Sequence, residues 1–204
     1  GMGLERVTAI LQGKSSCYDT ELFQPIFDAL SSICGGDVFC GEGEILRAGR
    51  IIADHIRAAV FMMADGVQPG NVDQPYVLRR LLRRSIMQGR KLGIKDPFCA
   101  KIAETVVKNY SEVYPELSIA SIKISESMSR EEEQFQKTIE NGAKEFEKFI
   151  SRVPQHVQKK IISGRNAFYL YETYGFPVEL TTEMASEKGF SVDMEGYQEA
   201  YKRH

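Results

Sequence analysis

Apolar residues recur at intervals of three and four along nearly the whole chain, the spacing of helices that bury one face. Leu4, Val7, Ile10 and Leu11 fall on one side of a short opening helix that Gly13 can close. Leu22, Ile26, Ala29, Leu30 and Ile33 form a second stripe, which Asp19 or Thr20 can cap and Gly35-Gly36 can end. Pro25 fits that helix only in its first turn, where backbone amides lack intrahelical partners anyway. From residue 47 to 65 the positions Ile51, Ile52, Ile56, Ala59, Val60 and Met63 predict a strongly buried helix, closed by Gly66. Residues 68–75 carry Pro69, Gly70, Asn71, Asp73 and Pro75 and read as a compact loop.

Helices are then expected over 76–92, ending at Gly93, and over 97–110. A long charged helix follows over 119–150, with a narrow seam of Met128, Phe135, Ile139, Phe146 and Ile150, placed as a strut between two lobes. Ser163 can cap a helix that packs Ala167, Phe168, Leu170, Tyr171 and Tyr174 and turns sharply at Gly175 and Pro177. A helix over 181–188 stops at Gly189, and Asp193 caps the last one. There is no βαβ alternation, internal repeat or low-complexity stretch, so the pattern predicts an all-α fold of two helical lobes joined by a long helix.

At 204 residues and 43% hydrophobic content the chain can bury a substantial core. Its formal net charge of −2 excludes a surface coated in positive charge, so any nucleic-acid contact must come from a local basic face. Cys17, Cys34, Cys40 and Cys99 show no C-x-x-C spacing, and His55, His156 and His204 add little for zinc, so no metal site is expected. The cysteines read as reduced and mostly buried. No apolar run reaches the ~20 residues of a membrane span, and no signal segment opens the chain, which points to a cytoplasmic protein without a membrane partner. Both ends read as cuts within a longer protein.

The chemistry concentrates on residues 76–92. Val77, Leu78, Leu81, Leu82 and Ile86 occupy one helix face, and Arg79, Arg80, Arg83, Arg84, Arg90 and Lys91 occupy the other. At 1.5 Å rise per residue the basic row runs for roughly 18 Å, long enough to follow several phosphates of one strand. The same arginines can instead pair with glutamates and hold helices together. Like charges at i and i+4 oppose a helix, so the row requires an anion from somewhere. Asp54 and His55 are adjacent on a helix, point about 100° apart and are not expected to face each other; His55 reads as a packed or hydrogen-bonded core histidine. Glu131-Glu132-Glu133 reads as a solvated helix face, and Tyr169, Tyr171 and Tyr174 serve helical packing before base stacking. No catalytic residue is assigned.

The opening Gly1-Met2-Gly3-Leu4-Glu5-Arg6 resembles the third signature of class II aminoacyl-tRNA synthetases. Arg50 to Arg57 (R-I-I-A-D-H-I-R), Asp65 to Asn71 (D-G-V-Q-P-G-N) and Tyr76 to Arg84 (Y-V-L-R-R-L-L-R-R) resemble, in order, three motifs of the alanyl-tRNA synthetase family. Glu131 to Phe135 (E-E-E-Q-F), Leu170 to Pro177 (L-Y-E-T-Y-G-F-P) and Asp193 to Tyr197 continue the likeness, which covers essentially the whole chain. The resemblance implies a helical tRNA-recognition domain over 16–204 and the end of a catalytic domain over 1–15, with Gly3 and Arg6 meeting ATP in an incomplete site. It implies ATP and Mg in the intact enzyme, none in this piece, and a zinc-bearing domain outside it.

The same resemblance assigns Asn71 and Glu172 to the guanine–uracil wobble pair of the alanine tRNA acceptor stem, and the row from Arg79 to Lys91 to its backbone. DNA is not an expected partner, and the oligomeric state is not legible. Asn71 can equally support a turn, and Glu172 can equally sit on a helix surface. Two positions depart from the family: aspartate is usual at Glu172, and arginine-glycine at Gln74-Pro75. The alternative function is a noncatalytic helical adaptor that meets acidic proteins through the arginine row.

Overall fold

The first helix, α1 (Leu4–Leu11), begins at Gly3 and is fastened by charge more than by its apolar side. Glu5 receives a hydrogen bond from Arg57 at 2.6 Å, whereas Leu4, Ile10 and Leu11 are 60%, 77% and 81% exposed. Of the apolar face read from the sequence only Val7 is half-buried and the rest is uncovered, and Ala9 is the residue of α1 that is buried. The computed structural model describes residues 3–152 and 160–203. Gly1, Met2, His156 and His204, which enter the sequence reading, lie outside the described residues.

Two compact units divide the chain, residues 1–133 and 134–204. In the first, a 3₁₀ turn at Cys17–Asp19, capped by Ser16, precedes α2 (Gln24–Cys34). Pro25 sits in the first turn of α2, as expected, and Gly35 ends it in the left-handed conformation. Phe23 and Phe27 are fully buried, a contribution the aliphatic stripe alone did not reveal.

Helices α3 (Gly43–Ala64) and α4 (Asp73–Lys91) form the principal packed pair, with α5 (Cys99–Tyr110) against α2 and α3. Ile52, Ile56, Ala59, Val60 and Met63 are buried as their spacing predicts, although Ile51 is only half-buried. α4 starts three residues earlier than expected. Asp73, at φ 52°, is the one non-glycine residue with positive φ among those described. Pro75 is tolerated in that first turn because it has no amide to leave unpaired.

The long helix α6 (Pro115–Ser151) runs through the boundary between the units. Its seam of Met128, Phe135, Ile139 and Phe146 is buried. In the second unit, β1 (Ile161–Ile162), α7 (Gly164–Tyr174), α8 (Val178–Glu187), β2 (Ser191–Val192) and α9 (Met194–Arg203) follow. β1 and β2 pair in parallel, with Ile161 opposite Ser191 and Ile162 opposite Val192. Strands of two residues carry no readable period, so this pair was invisible in an otherwise helical pattern.

α7 packs on α9 around Ala167, Phe168 and Tyr197, with Tyr171 and Val178 beside them. Ser163 caps α7, accepting from the Asn166 amide at 3.2 Å, and Asp193 accepts from the Gly196 amide at 2.9 Å, both as the sequence suggested. Among the described residues no helix is long and apolar enough to cross a membrane.

Candidate nucleic-acid interface

The loop between α3 and α4 is closed by several independent ties. The Gly66 and Val67 amides donate back to Met63 and Met62 at 3.0 Å each, and the Gly70 amide donates to the Pro75 carbonyl at 3.0 Å. A Cβ on Gly70 would lie 2.5 Å from the Pro75 Cβ, so glycine is required where the two ends of the loop meet. Gln68 accepts from the Ser127 hydroxyl at 2.8 Å and so anchors the loop to α6. Asn71 stands exposed at the far end, its Oδ1 accepting from the Arg79 guanidinium. That bond fixes which end of the amide is occupied and leaves the NH2 to donate outward.

Arg79 is itself held. Its Nε lies 3.2 Å from the Glu131 carboxylate, and Arg83 Nε lies 2.9 Å from the same group. The Glu131 side chain is only 4% exposed, against 19% and 22% for the two arginines. Glu131 is therefore the anion that α4 required for its crowded charges, and it comes from inside the protein. The basic row splits accordingly. Arg79 and Arg83 face α6, whereas Arg80, Arg84, Arg90 and Lys91 are exposed.

The glutamate run was expected to be solvated, and for Glu131 and Glu132 the structure overturns that. Both are buried; Glu133 alone is exposed. They stand three and four residues after Met128 and four and three before Phe135, and so share the seam. That spacing was the signal available in the sequence. Glu132 accepts from the Phe98 amide at 3.1 Å and the Cys99 amide at 3.0 Å, closing the first turn of α5.

Burial pushes the Glu132 carboxyl above the usual range, while the Phe98 and Cys99 amides pull the other way. The Cys99 thiol is raised well above its ordinary value by burial and by Glu132 beside it. A raised carboxyl binds its proton in the folded state at pH values where the unfolded chain has released it. Stability from this group is present below the ordinary value of 4.5 and declines as pH rises above it toward the folded value. Glu132→Gln is expected to remove that decline, so its urea midpoint relative to wild type should climb with pH across this window. A difference that stays constant with pH would contradict the assignment.

Asp54 and His55 do meet, contrary to the sequence expectation: His55 Nδ1 lies 3.2 Å from Asp54 Oδ2. The two side chains bend toward each other across adjacent helix positions, a freedom that the Cα geometry hides. The hydrogen bond from His55 holds the Asp54 carboxyl below its usual range.

In the second unit Glu172 is exposed on α7. Its neighbour Tyr171 is half-buried and lies 5.6 to 6.2 Å, ring to ring, from Phe168, Tyr197 and Tyr201. Tyr169 meets Phe149 and Tyr174 at 6.0 and 5.9 Å, so these rings serve packing. α7 is thereby a packed base for Glu172. Gly3 and Arg6 are exposed at the start of α1. Among the described residues no group of three or more His, Cys, Asp or Glu side chains is placed to hold a metal ion.

The model of the class II (A) tRNA synthetases matches residues 1–204. Relatives named alanine–tRNA ligase are similar over the full chain: 44% identical in Treponema pallidum (strain Nichols), 47% in Borreliella afzelii (strain PKo) and 42% in Synechococcus sp. (strain JA-3-3Ab). The chain spans 34% of the length of the first two relatives and 23% of the third. With the family model matched from end to end, the chain belongs to the class II (A) tRNA synthetases.

Proposed function

We propose that this chain is the acceptor-stem-reading part of an ATP-dependent alanine–tRNA ligase. The parent enzyme activates alanine as an adenylate and transfers it to the 3′ end of its tRNA. Residues 16–204 supply recognition, and residues 1–15 close the catalytic domain, where Gly3 and Arg6 meet ATP. ATP and Mg serve the intact cytoplasmic enzyme, whose zinc lies outside this chain. The isolated chain is expected to show no alanine-dependent pyrophosphate exchange.

The observation that carries this reading is the latch from buried Glu131 through Arg79 to exposed Asn71. It spends a buried ion pair on orienting one surface amide, which a simple turn does not need. With its oxygen held, Asn71 presents donors to a base edge, and uracil and guanine carbonyls are the matching acceptors. Glu172 accepts from an exocyclic amino group, as aspartate does elsewhere in the family with one methylene less. The readings of Asn71 and Glu172 are carried separately, each by its own unit. Arg80, Arg84, Arg90 and Lys91 follow the backbone, while Arg79 and Arg83 act chiefly by positioning.

Binding of an acceptor-stem hairpin with the wobble pair, compared with one carrying guanine–cytosine, tests this. A preference of roughly tenfold is expected, since one mismatched position typically costs ~1–3 kcal/mol. Asn71→Ala should bring the ratio toward one, and Glu172→Ala should lower it, with Glu172→Asp restoring it. Arg80→Ala should weaken both stems alike and reduce the salt dependence. Binding of acidic proteins with no preference between stems would favour the adaptor instead.

A further inference from the structure

A cleft of about 360 Å³ opens in the first unit beside the cationic face of α4, and of its lining the recognition chemistry above uses only Arg84. Its walls carry Tyr18, Arg47, Arg50, Asp54, His55 and Arg84. The guanidinium groups come from two helices, Arg47 and Arg50 from α3 and Arg84 from α4. Asp54 is the one carboxylate among these residues, and it is engaged by His55 at 3.2 Å.

The cations are only partly neutralised: the Asp54 carboxylate acts on Arg84 through space, beyond ion-pair distance. Arg47 meets Glu44 at 3.4 Å, but both side chains are about two-thirds or more exposed, at 68% and 73%, and such a pair holds neither partner firmly. Arg50 and Arg84 have no carboxylate within ion-pair distance among the described residues. Arg50 lies over the Tyr18 ring at 5.1 Å, which fixes the guanidinium plane, and its Nε is buried without a hydrogen-bond partner. A buried donor without a partner forfeits its hydration with nothing in return, and the neighbouring like charges add to the cost. An oxyanion in the cleft relieves both.

We infer that this cleft binds one backbone phosphate of an RNA strand, held between Arg47, Arg50 and Arg84. The inference rests on the RNA-reading function proposed above and adds to it a site on α3. Planar guanidinium groups converging from two helices suit the several acceptor oxygens of a phosphate better than a single carboxylate. A strand is favoured over a free phosphate because Arg84 lies one helical turn beyond exposed Arg80. The rise between them is roughly 6 Å, on the scale of neighbouring phosphates in one strand. A strand that follows α4 through Arg80 therefore enters the cleft at Arg84.

The test is fluorescence anisotropy of the wobble-pair and guanine–cytosine hairpins over a range of salt, with the 204-residue chain. Arg47→Gln, Arg50→Gln and the double variant are compared with wild type, their folding checked by circular dichroism. Arg47 is exposed enough that its single substitution leaves the fold intact should the double fail. The double is expected to lose about tenfold in affinity for both stems and to flatten the logarithmic salt slope by about one, the value for one lost phosphate contact; Arg47→Gln alone shifts both part of the way. The ratio between stems stays at its wild-type value.

Inorganic pyrophosphate should compete with RNA on wild type and lose that effect on the double variant. Folded variants with wild-type affinity and salt slope, on a protein that still prefers the wobble pair, overturn the site and leave the recognition function standing. Pyrophosphate binding that depends on Arg47 and Arg50 without any effect of the variants on RNA overturns the RNA assignment in favour of a free phosphate ligand. A wild-type chain that binds neither hairpin overturns both.

Discussion

Glu131→Ala is expected to destabilise the first unit by about 3 kcal/mol, the scale on which a buried ion pair fails when one partner is removed. Arg79 and Arg83 would be left facing each other, mostly buried, without the carboxylate that now lies within 3.2 Å of both. Differential scanning calorimetry should show a transition lowered by roughly 6–12 °C or more, from the ~2–4 °C per kcal/mol typical of 150–250 residues, a sensitivity that rises for smaller units. The same variant should lose preference for the wobble pair, because Asn71 is oriented by Arg79 and Arg79 by Glu131. Glu131→Gln keeps an acceptor, so its thermal loss should be smaller while the arginines are still under-neutralised. A Glu131→Ala protein that melts as wild type does would refute the buried-anchor account. One that melts early but keeps full preference would refute only the link to Asn71.

Gly164→Ala is expected to be at least as damaging, for a steric reason. A Cβ at this position would sit 2.1 Å from the Tyr197 amide nitrogen and 2.2 Å from the Gly196 carbonyl carbon, atoms of the α9 backbone that no rotamer change can move aside. α7 and α9 would have to separate, breaking the packing of Ala167 and Phe168 against Tyr197 and the bond from the Gly164 amide to Asp193 at 3.4 Å. Overpacking of a core typically costs ~1–3 kcal/mol, and a backbone collision belongs at the upper end. Near-ultraviolet circular dichroism, to which the Tyr171, Tyr197 and Tyr201 cluster with Phe168 contributes, should lose part of its signal with the α7–α9 contact. Any part Glu172 plays in RNA binding should fall with it, since α7 is what holds that residue. Retention of the aromatic signal at wild-type temperature would show that the helices accommodate a methyl group after all.

Much of the helical plan was legible because the burial of one face leaves a three- and four-residue period in any amphipathic helix. α3, the seam of α6 and the cap of α7 at Ser163 followed it closely. Where the pattern misled, competing physics won. In α1 an ion pair from Glu5 to Arg57 governs the attachment, and the apolar side is left mostly open. In α4 a proline taken as loop stands inside the first turn, where its missing amide does no harm. β1 and β2 are too short to register at all.

The candidate site divides along similar lines. The amino-acid order alone determined that a basic helix follows a proline- and glycine-bearing loop, that the loop carries Asn71, and that α4 carries more positive charge than it can tolerate without an anion. It could not say where the anion comes from. Charge on a helix reads as exposed by default, and only the tertiary structure, which brings Glu131 of α6 to Arg79 and Arg83 of α4, makes it a buried counter-ion while Arg80 and Arg84 stay outside. The physical reason is one of range: helix periodicity is written within a few residues of each position, whereas Arg79 and Glu131 are 52 positions apart and meet only once the chain has folded.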